Sequence, residues 1–159
     1  MECHKKKKNG FTLAELLIVI AIILILISVS IFALNDQQAK ARDAKRISDI
    51  RQISHALEFY YSNEGEYPVF ENSIKLGSSS YIKLCSKIEG GFVSADTSCA
   101  QETTYISQIP VDPKNNNYIY QGYEKGYDLS FRTEKNSSLG SAGLYHAHSY
   151  GFDRSAGLK

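Results

Sequence analysis

The chain's 159 residues allow one domain of ordinary size plus an appendage, and its formal charge of +1 excludes a nucleic-acid binder that works by bulk electrostatics. That charge is unevenly placed. Residues 1–10 hold Lys5, Lys6, Lys7 and Lys8 against one glutamate, so without them the formal charge falls from +1 to −2.

The basic run ends in Asn9 and Gly10, and an apolar segment begins at Phe11 that admits one carboxylate, Glu15, near its start. From Leu16 to Leu34 the nineteen residues LLIVIAIILILISVSIFAL carry only Ser28 and Ser30 as polar members. About 20 apolar residues cross a bilayer core as a helix, and a span in lipid has to satisfy its own backbone hydrogen bonds, so the many isoleucines do not argue for a strand. Beyond Asn35, Ala41, Ala44, Ile47, Ile50, Ser54, Leu57 and Tyr61 recur at spacings of three and four, with charged residues filling the remainder. No Gly or Pro interrupts the chain between Phe11 and Asn63, which predicts one long helix with a transmembrane half over 11–34 and an amphipathic half over 35–63.

From Glu71 to Pro113 the chain is rich in Ser, Gly and Thr and reads as a loop-dominated connection with a short helix around Tyr81 to Lys87. Three short runs then show β character: Tyr118 to Gln121, Tyr127 to Thr133 and Leu144 to Tyr150, the first two joined by a hairpin-length linker. The fold expected is α+β, the long N-terminal helix packed on a small antiparallel sheet of about three strands, with Ile119, Leu129 and Phe131 facing the helix from a globular head over 64–159. Cys85 and Cys99 read as a disulfide if the head lies outside the cytosol and as two buried thiols in a reducing compartment.

The string KKKKNG followed by FTLAELLIVIAIILIL resembles the class III signal of type IV pilins and of the pseudopilins of type II secretion systems. The resemblance implies a leader, 1–10, removed by a prepilin peptidase between Gly10 and Phe11, with N-methylation of the exposed Phe11. It also implies a homo-oligomeric helical filament in which Glu15 of one subunit docks on the Phe11 amine of another, driven by an assembly ATPase and its membrane platform. Before assembly the chain would be a single-pass inner-membrane protein with its N-terminus in the cytoplasm, and afterwards an extracytoplasmic or cell-surface filament. The five basic residues between Lys40 and Arg51 count against that orientation, whereas the family's topology supports it and with it a Cys85–Cys99 disulfide. The chain departs from the family pattern in lacking a Pro near Phe32 and a Gly near Leu24.

The leading reading is a structural subunit of a type IV pilus-like filament. Its alternatives are a pseudopilin of a type II secretion or DNA-uptake system and, in another class, a membrane-anchored binding module. A conventional secretory signal is the rival for the N-terminus, but its apolar region usually runs about 7–15 residues. Nothing resembles a nucleophile with its base, so no enzyme is expected. His146 and His148 share one face of a strand, and two imidazoles alone do not define a metal site. Asp112, Asn115, Asn116 and Asn117 have the oxygen chemistry for calcium, which the resemblance places in this general region, and they equally make an ordinary turn. No other cofactor is expected. Lys83, Lys87 and Lys114 are too scattered to define a nucleic-acid face.

Overall fold

The computed structural model describes residues 11–154, with the side chains of 29–33 left out. The leader and Gly10, half of the expected cleavage site, therefore lie outside the described residues, as do the side chains of Ser30 and Phe32. The chain divides into two units, one ending at Gln38 and the other beginning at Ala39.

Helix α1 runs over Leu13–Glu64, 52 residues without a break. It stops where Gly65 enters the left-handed region (φ 79°) and returns its N–H to the Tyr61 carbonyl at 2.9 Å, a closure that glycine makes without a Cβ clash. In the first unit every described side chain from Phe11 to Ser28 is exposed. Among the described residues no helix is long and apolar enough to cross a membrane. Of the nineteen-residue apolar run, the side chains of 29–33 lie outside the described residues.

In the second unit the strands are β1 (Ile74–Leu76), β2 (Lys83–Cys85), β3 (Phe92–Val93), β4 (Thr104–Ile106), β5 (Tyr118–Tyr123), β6 (Gly126–Thr133), β7 (Gly143–His148) and β8 (Gly151–Asp153). They form a five-stranded antiparallel sheet, β1-β5-β6-β7-β8, and a three-stranded sheet, β3-β2-β4. The α+β architecture is as expected, with more strands than the three anticipated. The helix expected around Tyr81 to Lys87 is instead strand β2, paired on both edges, and helical structure in this region is confined to a 3-10 turn at Gln101–Thr103. Cys85 and Cys99 are joined in a disulfide across 14 residues, which ties β2 to the approach to that turn.

The core forms where Ile47, Ile50, Ile53, Leu57 and Tyr60 of α1 meet Leu76, Leu84, Phe92, Tyr118, Tyr120, Leu129, Phe131 and Tyr145 of the sheets. Two details differ from the sequence reading. Ala41, Ala44 and Tyr61 are exposed, while Asp43, Arg46 and Asp49 are buried in their stead. On β5 the inward residues are Tyr118 and Tyr120, and Ile119 points outward at 39% exposure, because alternation along a strand leaves room for only one of the two sets. The tyrosines keep their hydroxyls satisfied: Tyr120 donates to the Pro68 carbonyl at 2.9 Å and Tyr145 to the Ser141 carbonyl at 2.6 Å.

The approach of β5 to the segment after α1 is close enough to require Gly122. A Cβ there would overlap the Pro68 carbonyl oxygen, a backbone atom that cannot step aside. Gly122→Ala should therefore destabilise the head by about 1–3 kcal/mol or more through overpacking. A urea midpoint unchanged from wild type would show that the Pro68 segment yields freely.

Candidate functional site

At the N-terminus the sequence Thr12-Leu13-Ala14-Glu15 builds a reciprocal cap. The Glu15 Oε2 accepts from the Thr12 backbone N–H at 2.8 Å and from the Thr12 hydroxyl at 2.7 Å, and the Glu15 N–H donates to Thr12 Oγ1 at 3.2 Å. This is a capping box, with Thr12 at N-cap and Glu15 at N3, and it satisfies donors that the first helical turn leaves orphaned. The T-x-x-E pattern signals such a cap in the sequence, and the sequence reading above passed over it. All three bonds are local to an exposed helix end, and the apolar side chains that follow, among them Leu16, Ile18, Leu24 and Ile25, are 60–65% exposed. An apolar surface of that extent needs a covering, either lipid or other helices.

The second constellation lies on α1 within the head. Arg46 has no exposed surface. Its Nε donates to Asp112 Oδ2 at 2.5 Å, and its Nη1 to Asp43 Oδ1 at 2.7 Å and to Glu134 Oε1 at 2.8 Å. Asp43 in turn accepts the backbone N–H groups of Glu134 (2.9 Å) and Lys135 (2.8 Å). Glu134 also takes Arg42 Nη2 at 2.8 Å and Lys114 Nζ at 2.7 Å. Asp112 Oδ1 accepts the backbone N–H groups of Lys114 (2.7 Å) and Asn116 (3.2 Å), closing the turn that precedes β5.

Burial opposes charge on Arg46, but its bonds to Asp112, Glu134 and Asp43 outweigh that and raise its pKa further. Asp112 is likewise pushed up by burial and pulled down more strongly by Arg46 and the two backbone donors. Glu134 is held well below the ordinary carboxylate range, chiefly by its bond to Arg42, with Lys114 and Arg46 adding to it.

This geometry decides the calcium candidates. A calcium ion takes about six to eight oxygen ligands. Asp112, the only carboxylate among Asp112, Asn115 and Asn117, is already occupied by a guanidinium and two N–H donors. Asn115 and Asn117 adopt positive φ, 57° and 43°, and serve as turn residues. The set does not fit a divalent cation. The two histidines of β7 are also engaged within the head. His146 and His148 are buried, their rings stacked with centroids 6.2 Å apart. His146 Nδ1 meets Asp128 at 2.8 Å and His148 Nδ1 meets the Tyr127 carbonyl at 3.1 Å. Among the described residues no set of three metal-ligating side chains includes either of them. The one such set is Cys85, Glu89 and Cys99, whose cysteines are already bonded to each other. Glu89 instead bridges the disulfide loop, accepting from Ser86 Oγ at 2.8 Å, Ala100 N at 2.8 Å and Thr103 Oγ1 at 3.0 Å.

Comparison with known proteins finds matches over both the N-terminal segment and the head. Residues 5–31 match the model of the prokaryotic N-terminal methylation motif, and residues 33–144 that of type II secretion system protein G. The type II secretion system core protein G of Escherichia coli K12 is 30% identical over 125 residues, 77% of this chain and 79% of that protein. The corresponding protein of Aeromonas hydrophila is 29% identical over 72% of this chain and 73% of its own length. The type IV major pilin PilE of Neisseria gonorrhoeae is 39% identical over 92 residues, 55% of each chain. No solved structure matches.

The depressed Glu134 and Asp112 carboxylates contribute stability that is fully present above their unfolded pKa values, near 4, and is lost as pH falls below that toward their folded values. Wild type should accordingly exceed Glu134→Gln in thermal midpoint at pH 7, and the gap should begin to narrow below about pH 4 and go on narrowing to pH 2. A gap that persists undiminished to pH 2 would mean that Glu134 acts through packing and not through its charge.

Proposed function

Since the chain belongs to the type II secretion protein G family, within the wider group of pilins and pseudopilins, we propose that it is a pseudopilin-type subunit of a secretion filament. Members of this family are structural subunits and not enzymes. The observation that carries the reading is the exposed apolar run from Phe11 to Ser28 on the same helix whose later turns build the core of an α+β head. Such a chain needs lipid before assembly and neighbouring helices after it. The secretion relatives align over more of the chain than the pilins do, 77% and 72% against 55%, and this favours the pseudopilus over the pilus.

In the mechanism proposed, a prepilin peptidase hydrolyses the Gly10–Phe11 peptide bond and the new Phe11 amine is methylated. That amine is cationic at neutral pH, since an α-amino group has a pKa of about 8. A subunit held by an assembly platform and its ATPase offers Glu15 to the Phe11 amine of a copy already in the filament. The ion pair sets register, and apolar packing supplies most of the association free energy. Burying Glu15 without a cationic partner would be costly, so a misregistered subunit is rejected. The head is proposed to lie outside the inner membrane, where the Cys85–Cys99 disulfide is chemically at home.

Intact mass and N-terminal sequencing of the native protein should find a chain beginning at methylated Phe11. A chain beginning at Met1 would leave a membrane-anchored binding module as the better reading. Glu15→Ala should abolish filament formation while the monomer stays folded and membrane-bound. Thr12→Ala, which breaks the same cap but leaves the carboxylate, should assemble far better than Glu15→Ala. Equal defects in the two variants would reduce Glu15 to a helix cap and defeat the docking role.

A further inference from the structure

The misfit of calcium to the Asp112 turn points to what holds the head's loops in its absence. Two connections, 107–117 between β4 and β5 and 134–142 between β6 and β7, have to be secured on α1. A bound divalent cation does such work by drawing carboxylates from separate loops to one point. Here Arg46 is that point. It gathers Asp43 three residues away, Asp112 at a separation of 66 and Glu134 at a separation of 88.

We propose that the Arg46 guanidinium is an internal substitute for a divalent cation, fixing both connections on α1 so that this subunit folds and keeps its shape without calcium.

Three features of the site support this. Connection 107–117 contains one acidic residue, Asp112, and 134–142 contains one, Glu134, and both are already committed to the cluster. No further carboxylate remains in either segment to recruit a metal. The charges are also balanced, with Asp43, Asp112 and Glu134 set against Arg42, Arg46 and Lys114. A divalent ion entering here would meet a buried guanidinium that cannot shed its proton to make room. Finally, the backbone is fastened to the same cluster: Asp43 holds the N–H groups of residues 134 and 135, and Asp112 those of 114 and 116. A planar guanidinium with five N–H donors reaches several carboxylates in fixed directions, as a metal does, and a lysine ammonium would not reproduce that fork. None of this depends on whether the filament serves secretion or a pilus.

The test is thermal unfolding of the purified full chain in detergent, followed by circular dichroism, in excess EGTA and across a calcium chloride titration. The midpoint should be the same in both media to within about 1 °C, because a ligand that does not bind the native state cannot stabilise it. A midpoint that climbs with calcium and saturates would overturn the proposal. Arg46→Gln should lower the midpoint by several degrees in EGTA, or prevent folding, and should speed tryptic cleavage after Lys135. An Arg46→Gln variant as stable and as protease-resistant as wild type would overturn it equally. Should that variant fail to fold, the wild-type titration still decides the question.

Discussion

One unbroken ladder of backbone hydrogen bonds, from Leu13 to Glu64, constrains everything else in this protein. A helix satisfies its own peptide groups, so its side chains are at liberty to suit different surroundings along its length. From Leu16 to Ile27 the side chains are apolar and exposed on every face, which suits lipid or a bundle of like helices. From Ala39 onward the apolar residues narrow to one stripe, and Ile50, Ile53 and Leu57 lose all exposure against the sheets. The strands depend on that stripe. Those of two or three residues, such as β3 and β1, could not persist alone, and they hold because each is paired to a neighbour whose inner face lies on α1 or on the Tyr and Phe side chains around it.

How much of this the sequence displays follows from length and period. The long helix is legible because its apolar spacing and its freedom from Gly and Pro extend over dozens of residues, and β5, β6 and β7 are legible because their runs are bounded by turn residues. The phase of β5 is harder. In YIYQGY both alternating sets include large apolar residues, so assigning Ile119 to the core amounts to a one-residue slip that turns every side chain to the wrong face. Strand β2, only three residues long, has no period to read, and the lysines and isoleucine around it resemble a helical turn as easily.

The charged residues of α1 mislead for a different reason. Asp43, Arg46 and Asp49 in a helix that also carries Lys40, Arg42 and Lys45 read naturally as a solvated face. What buries them is topology: the chain has to fold before Asp112 and Glu134, and the Tyr118 hydroxyl that donates to Asp49 at 2.9 Å, arrive at the same side of the helix. No local pattern encodes that meeting. The N-terminal cap is the reverse case, since Thr12 and Glu15 stand three residues apart and the signature is entirely local.

The two carboxylate sites also differ in what they can exchange. Asp43 and Asp112 beside Arg46 are enclosed, and breaking a buried pair by removing one partner typically costs about 3–5 kcal/mol, because the remaining charge is stranded. Those acids are committed to the subunit's own architecture and have nothing to offer a neighbour. Glu15 makes only exposed, local bonds to Thr12, and a cap open to solvent competes with water for the same donors and stabilises the helix end only modestly. A single ion pair with a Phe11 amine in a less polar surrounding can offset that loss. Under the proposed docking, the cap keeps the carboxylate ordered at the head of the helix until a neighbour's amine competes for it. Its modest strength is then what permits the handover, just as the strength of the Arg46 cluster prevents one in the head.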